Sequence, residues 1–223
     1  MALRRWAAVC AIIFGAAVSP APAPPPAEAL LPHAPDNTEK ARALASTYRT
    51  QLRQLYDAVD RCYPWVEIVK GGLGFRKPKG VSADDRYLSL WVLVDQQITP
   101  AFAAAPPERR ASAMFQRYGV DLLRRLSSQK SLVKDPALTG FAVVLTWIKP
   151  NGLPNPPQQE VGETLAVFVD KDTTLAFLER EISPAEFLSK ARVFGFDGKL
   201  ELGRLPIDLV DHQEDRQLSD CPP

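Results

Sequence analysis

Two short apolar runs in the middle of the chain, residues 141–148 and 164–169, are rich in β-branched and aromatic side chains. Runs of this length that are apolar at nearly every position are typical of strands covered on both faces. The segment between them is rich in proline, and proline cannot donate a hydrogen bond to a sheet ladder, so this segment is predicted to be a loop. The two runs therefore predict the central strands of the fold.

A long amphipathic helix is predicted in the first third of the chain. Apolar residues recur there at alternating spacings of four and three residues from Ala41 to Cys62, which is the pattern of one helix face. Asp36 and Glu39 resemble a capping box at its start. The stripe is too short for an extended coiled coil, so we expect this helix to pack on the sheet of its own domain.

A second long helix is predicted to begin at Pro106, because proline is tolerated in the first helical turn. Its apolar face lies between Ala111 and Leu126. Two short helices are predicted later in the chain, one after Asp170 and one that begins with Ser183 as its cap.

Further strands are predicted at Trp65–Val69 and at Tyr87–Val94, and residues 194–200 predict a hairpin on an Asp-Gly turn. The tryptophans of the predicted strands, Trp65, Trp91 and Trp147, are expected in the core. Together these elements predict an α+β fold. We expect a single domain with a mostly antiparallel sheet of about five to six strands, on which two long and two short helices pack.

The N-terminus has the pattern of a secretory signal peptide. Arg4 and Arg5 precede an apolar run of 13 residues, Trp6–Val18, and a run of that length is too short to span a bilayer. We expect cleavage after Ala29; the alternative is a leader retained as an anchor. The predicted boundaries are therefore a signal peptide at 1–29, a flexible lead-in at 30–36, a domain at 37–210 and a polar tail at 211–223. No transmembrane span is predicted in the mature chain, which we expect to be periplasmic or secreted.

Cys62 and Cys221 are the cysteines that remain after the predicted cleavage. In an oxidising compartment two cysteines most simply form one disulfide bond, so we predict a bridge between them. Two free buried thiols are the alternative.

The charge balance argues against a nucleic-acid partner. Removing residues 1–29 takes away two arginines and one glutamate, which leaves 25 basic and 25 acidic side chains. Residues 30–136 carry 17 basic and 11 acidic side chains, whereas residues 137–223 carry 8 and 14. This asymmetry favours packing of one half on the other, or a dipolar surface. The neutral mature chain lacks the strong positive field that nucleic-acid binding needs.

Signatures of catalysis and of metal binding are sparse. The mature chain has two histidines, His33 and His212, and neither lies near a serine-elbow motif or in a metal-ligand spacing. We therefore predict no catalytic residues, no metal site and no cofactor.

A glycine-rich segment that follows the strand at Trp65–Val69 is the strongest candidate for binding. As a loop it would point backbone amides outward beside several basic side chains, which suits an anion such as a phosphate, a lipid headgroup or a cell-wall carboxylate. The alternative is a glycine turn with a solvated basic rim. The candidate residues are Lys70, Gly71, Gly72, Gly74, Arg76, Lys77 and Lys79.

A row of arginines seven residues apart lies on the second predicted helix: Arg110, Arg117 and Arg124. Such a row could contact an acidic partner, although it is also typical of the solvated face of an amphipathic helix.

These features favour an exported protein that binds an envelope protein or an anionic component of the cell envelope and does not act as an enzyme. A hydrolase that uses carboxylates is the first alternative, with Glu67, Asp95 and Asp170 near predicted strand ends. A structural subunit that joins a complex through its first helix is the second.

Overall fold

The computed structural model describes residues 38–78, 81–95, 99–149, 161–197 and 200–210. These residues form one sheet of six strands that lie in chain order, β1 to β6. All neighbouring strands pair antiparallel except β2 and β3, which pair parallel. The strands are β1 Val66–Arg76, β2 Arg86–Val94, β3 Leu138–Lys149, β4 Val161–Asp170, β5 Arg192–Asp197 and β6 Leu200–Arg204.

The helices lie before β1, between β2 and β3, and between β4 and β5. The group between β2 and β3 is the crossover that lets these two strands run parallel, since a parallel pair cannot be joined by a tight turn. In chain order the helices are α1 Glu39–Thr47, α2 Arg49–Cys62, α3 Pro100–Ala104, α4 Pro107–Met114, a π-helical turn Phe115–Gly119, α5 Val120–Ser127, α6 Lys130–Val133, α7 Lys171–Leu178 and α8 Pro184–Lys190.

The predicted α+β class and the mostly antiparallel sheet are confirmed, but the helices are more divided than predicted. The first long helix is two helices that meet at Tyr48, where the backbone is not helical (φ −104°, ψ 20°). The hydroxyl of Tyr48 donates a hydrogen bond of 2.8 Å to Asp135 at the break. The second long helix is interrupted by the π-helical turn, and α3 and α6 were not predicted.

The glycine-rich segment is part of β1 and not a loop. β1 continues to Arg76 through a bulge between Ile68 and Leu73, and Gly71 in this bulge has a φ of +69°. A Cβ at Gly72 would lie 2.5 Å from the carbonyl oxygen of Trp91 on the neighbouring strand. The glycines therefore permit the bulge and the close approach of two strands, which is a common role of glycine inside a strand.

The helices that the structure describes pack on one face of the sheet, called here the helical face. Phe115 of the π-helical turn stacks with Phe187 of α8, which stacks with Phe177 of α7 at 4.2 Å between ring centres. Trp147 is buried in this core and Trp65 is half-buried at its margin. Among the described residues, no helix has both the length and the apolar character needed to cross a membrane.

Candidate binding face

A second cluster of buried side chains covers the opposite face of the sheet. Successive residues of a strand point to opposite faces, so in β2 Leu88 and Leu90 face the helices while Tyr87 and Trp91 face away. We call this surface the aromatic face, and all of its members lie on strands. Its buried residues are Tyr87, Trp91, Ala142, Val144, Ala166, Phe168 and Phe196, with Val69 and Phe194 partly buried against them.

The middle of the aromatic face has a floor of small residues. Gly74, Ser89 and Ala142 are direct neighbours across β1, β2 and β3. The side chain of Ser89 is fully buried, and its hydroxyl has no hydrogen-bond partner among the described residues. A buried hydroxyl without a partner costs free energy, so this position is suited to an occupant that supplies a hydrogen-bonding group.

Arg76 borders the floor on the side of β1. It is 3% exposed, and its guanidinium lies 5.9 Å from the centre of the Trp91 ring. Nη2 of Arg76 also donates a hydrogen bond of 2.5 Å to the carbonyl oxygen of Gly71 in the bulge. The bulge and the ring of Trp91 thus hold a positive charge beside the small-residue floor.

Tyr87 borders the floor at the end where β2 begins. The ring of Tyr87 lies over Gly140, the residue of β3 with which Tyr87 pairs. The hydroxyl of Tyr87 donates a hydrogen bond of 3.0 Å to Asp170 on β4. Its ring also meets Phe168 edge-on at 5.5 Å. Burial, together with the charge of Asp170 and the hydrogen bond to it, raises the pKa of Tyr87 far above the ordinary tyrosine value. Tyr87 is therefore a neutral donor with a fixed position.

Trp91 is held from its other side by threonines. Its Nε1 donates a hydrogen bond of 3.0 Å to the hydroxyl of Thr146, which lies 3.1 Å from the hydroxyl of Thr164. The ring of Trp91 is therefore fixed by a polar contact at one edge and by Arg76 over its face. A rigid aromatic surface of this kind can bind a ligand with little loss of conformational entropy.

The predicted basic residues do not form one patch. Lys70 is exposed at the bulge, Lys77 donates to the carbonyl oxygen of Ala83 at 3.5 Å, and Lys79 lies outside the described residues. Gly72 and Gly74 are buried in the sheet, whereas Gly71 is exposed. Arg76 faces Trp91 on the aromatic face, so it and the arginines of the crossover lie on opposite sides of the sheet.

The three predicted arginines of the crossover have three different surroundings. Arg110 is buried and paired with Glu163. Arg117 is exposed beside Tyr118, and Arg124 pairs with Asp121 at 3.2 Å. The π-helical turn between positions 110 and 124 has more residues per turn than an α-helix and so rotates less per residue, and a spacing of seven residues therefore does not keep these side chains on one face.

The carboxylates of the hydrolase alternative lie at two ends of the sheet. Glu67 pairs with Leu93 near the end of β2, and Asp95 follows that end, whereas Asp170 lies beside Gly140. Measured along β3, the position of Glu67 and the position of Asp170 are about 20 Å apart, at ~3.3 Å per residue. Asp170 is therefore not in one cleft with Glu67 and Asp95, and it accepts the hydrogen bond of Tyr87.

The sequence reasoning did not identify Ser89, Tyr87 or Trp91 as site residues. The run 87–94 predicts a strand, but that prediction does not separate the two sets of side chains that alternate along it. Tyr87, Ser89 and Trp91 all carry polar atoms, whereas Leu88, Leu90 and Val92 carry none. A separate inspection of the two faces of this strand is the signal that could have found the site.

The predicted bridge partner of Cys62, Cys221, lies outside the described residues, so the pairing of the two stays a prediction. Cys62 itself is buried at the end of α2. No group of three or more histidine, cysteine, aspartate and glutamate side chains within the described ranges could hold a metal ion.

Comparison of the chain with models of protein families, with curated proteins and with solved structures found no match. What the protein does is therefore inferred from its own residues and their geometry.

Proposed function

We propose that the protein is exported by its N-terminal signal peptide and acts outside the cytoplasm by binding, without catalysis. In this proposal the aromatic face is the docking surface, and its ligand is an extended, apolar segment of a polypeptide of the cell envelope. The observation that carries the proposal is the fully buried hydroxyl of Ser89, which has no partner among the described residues and lies in a floor of small residues between aromatic side chains.

An extended polypeptide fits this surface for chemical reasons. Proline-rich and other extended segments dock on aromatic surfaces because rigid rings contact them at a small entropic cost. The backbone of such a segment carries a carbonyl group at every residue, and one of these can accept a hydrogen bond from Ser89. Gly74 and Ala142 let that backbone come close to the sheet.

Export is supported by the leader pattern at residues 1–29. The predicted bridge between Cys62 and Cys221 would agree with export, since disulfides persist mainly in oxidising compartments. The test is cell fractionation followed by mass spectrometry of the N-terminus. We expect a chain that begins at Leu30 in an extracytoplasmic fraction, and a full-length chain in the cytosol would contradict export.

The binding proposal is tested with a displayed library of random peptides selected on the mature chain, residues 30–223. Affinities of the selected peptides are then measured by fluorescence anisotropy for the wild type and for Ser89→Ala. We expect Ser89→Ala to weaken binding about 5- to 10-fold, as the loss of one hydrogen bond predicts. Ser82→Ala, at an exposed position, is the matched control and leaves binding unchanged.

Two results would contradict the binding proposal. One is a library from which no peptide is enriched. The other is a set of peptides whose affinities do not change in Ser89→Ala, because the buried hydroxyl would then have no part in binding.

A further inference from the structure

Residues 205–210, which follow β6, form an extended segment on the helical side of the sheet, called here the C-terminal strap. None of these six residues belongs to a helix or a strand. Leu205 and Ile207 are 5% and 6% exposed and belong to the core under the helices, and Leu209 packs against that core. The residues between them are exposed. The strap therefore buries every second side chain, as an extended peptide does when one side of it is bound.

Two side chains of the helical crossover bind the backbone of the strap. The N–H of Val210 donates a hydrogen bond of 2.8 Å to Oε1 of Gln116, and Nε2 of Gln116 donates one of 3.2 Å to the carbonyl oxygen of Val210. The N–H of Asp208 donates a bond of 3.0 Å to Oγ of Ser112. The hydroxyl of Ser112 donates in turn to the carbonyl oxygen of Glu108 at 2.6 Å, which orients its oxygen as an acceptor. All three bonds to the strap read main-chain groups, which any polypeptide carries.

The π-helical turn places Gln116 beside the strap. Phe115 in this turn is fully buried, and a Cβ at Gly119 would collide with its ring. The glycine thus lets the ring pack inward, while Gln116, the next residue along the chain, reaches the strap. π-helical turns within α-helices are frequent at functional sites.

The other end of the strap is seated on β5. A Cβ at Gly195 would lie 3.0 Å from Cδ2 of Leu205, so the glycine leaves the space that this leucine fills. The N–H of Leu205 also donates a hydrogen bond of 3.1 Å to the carbonyl oxygen of Val193. The surface under the strap thus runs from β5 to the π-helical turn, and we call it the strap site.

We propose that the strap site is a peptide-binding site for an extended segment of another polypeptide, and that residues 205–210 occupy it in cis until such a segment displaces them. The segment carries aliphatic side chains at alternate positions, in the pattern of Leu205, Ile207 and Leu209. Where extended peptides are recognised, main-chain hydrogen bonds provide affinity and spaces for alternate side chains provide specificity. The strap site supplies both. It lies on the opposite side of the sheet from the aromatic face, so it does not depend on the proposed function.

The strap is held in a way that permits exchange. Its bonds to Gln116 and Ser112 lie at exposed positions, where water can replace each partner. Segments with few ladder bonds and exposed hydrogen bonds open locally, without unfolding of the whole domain. A competing segment of the same pattern re-forms the bonds that the strap gives up, so the exchange loses no class of contact.

The test uses the mature chain and a fluorescein-labelled peptide with the sequence of the strap, Leu-Pro-Ile-Asp-Leu-Val. Leu205→Ser and Ile207→Ser are combined to unseat the strap of the chain itself. Circular dichroism checks that this unseated variant keeps the fold, and fluorescence anisotropy measures the peptide. In the wild type the peptide competes with the strap, so we expect the unseated variant to bind it at least about 10-fold more tightly.

Gln116 provides the specific readout. Gln116→Ala, added to the unseated variant, removes the pair of bonds to the peptide backbone and should weaken binding at least about 5-fold. Gln54→Ala, at an exposed position of α2, is the matched control and should leave binding unchanged. Ser89→Ala should also leave it unchanged, which separates the strap site from the aromatic face.

Three results would overturn the inference. The first is a folded, unseated variant that binds the peptide no better than the wild type. The second is binding that Gln116→Ala does not weaken. The third is a wild-type dimer in analytical ultracentrifugation that the peptide dissociates, because a second copy of the chain would then supply the segment.

Hydrogen exchange of the wild type decides the question if the unseated variant does not fold. We expect the amide hydrogens of Asp208 and Val210 to exchange at least about 100-fold faster than that of Val143 in β3, at a rate that low urea does not change. Exchange of the strap only at the rate of global unfolding would overturn the inference, because a strap that never opens alone cannot be displaced.

Discussion

Arg110 on α4 and Glu163 on β4 form an ion pair in which the two side chains are only 4% and 3% exposed. Nε of Arg110 donates a hydrogen bond of 2.7 Å to Oε2 of Glu163, and Nη2 donates to Oε1. The same carboxylate accepts a hydrogen bond of 2.8 Å from Nε1 of Trp147 on β3. One carboxylate thus joins the helical crossover to two central strands.

Removing one charge of this pair should be costly. Glu163→Gln leaves the guanidinium of Arg110 buried without its counter-charge, and the expected loss is about 3–5 kcal/mol in the free energy of unfolding. The measurement is urea denaturation followed by circular dichroism. Glu186→Gln is the control, because its ion pair with Lys190 is solvent-exposed and should change the stability by less than about 1 kcal/mol.

An apolar replacement of both partners should cost less than the single change. A buried ion pair that is exchanged for apolar side chains of similar volume is often neutral for stability. We therefore expect Arg110→Met with Glu163→Leu to be more stable than Glu163→Gln alone. If the double variant proved the less stable of the two, the ion pair would contribute more than its desolvation costs.

Gly140 leaves the space through which Tyr87 reaches Asp170. A Cβ at position 140 would lie 2.9 Å from Cε1 of Tyr87 and would also meet the backbone of Val169 and Asp170. Gly140→Ala should therefore overpack the sheet and lower the free energy of unfolding by about 1–3 kcal/mol. Thermal denaturation of the variant measures the loss.

Gly162 on β4 provides the matched control for that substitution. The nearest atom to a Cβ at position 162 is the methyl group of Thr146 at 3.4 Å, which is an ordinary van der Waals contact. Gly162→Ala should therefore be neutral or should stabilise by up to about 1 kcal/mol, because alanine loses less backbone entropy than glycine. Equal losses in the two variants would show that the space beside Tyr87 is not special.

Most of the sheet could be predicted because its strands are short apolar runs bounded by turn residues. The runs at 87–94, 141–148 and 164–169 all correspond to observed strands. The bulged part of β1 was missed because Lys70-Gly71-Gly72 has the local composition of a loop. The contact that determines this segment is the close approach of Gly72 to Trp91, which lies 19 residues away and leaves no local signal.

The site was harder to predict than the sheet, since its polar groups come from different strands. Arg76 of β1 lies over the ring of Trp91 on β2 and also donates a hydrogen bond to the carbonyl oxygen of Gly71 in the bulge. Arg110, expected at the surface, is buried because Glu163 lies 53 positions later in the chain at the matching place. The spacing of residues along one helix does not reveal a partner that is distant in the sequence. For this reason the row of arginines had the pattern of a solvent-exposed helix face.

The pH dependence of stability should reveal the buried hydroxyl of Tyr87. Burial and the neighbouring carboxylate of Asp170 raise its pKa in the folded state. A raised pKa means that the stabilisation is complete below the unfolded value of about 10 and is lost as the pH rises toward the folded value. We expect the wild type to lose more stability than Tyr87→Phe between about pH 9 and about pH 12.

The comparison of these two proteins isolates Tyr87 from the other tyrosines. The pKa values of Tyr48, Tyr63 and Tyr118 are also raised, but these side chains are the same in both proteins. The measurement is the urea midpoint at a series of pH values. Parallel curves for wild type and variant would show that Tyr87 ionises equally easily in the folded and unfolded chains.

The predicted bridge between Cys62 and Cys221 would close a loop that contains nearly the whole domain. Chain-entropy estimates give at most ~5 kcal/mol for a loop of this length, and measured effects are often smaller. We expect reduction of the mature chain, or Cys221→Ser, to lower the free energy of unfolding by about 2–5 kcal/mol. The stability of Cys221→Ser should not change further when reductant is added, so the variant with and without reductant serves as the control. Alkylation of the unreduced, denatured chain followed by mass spectrometry tests the bridge directly, and a chain that takes up two alkyl groups would show that both thiols are free.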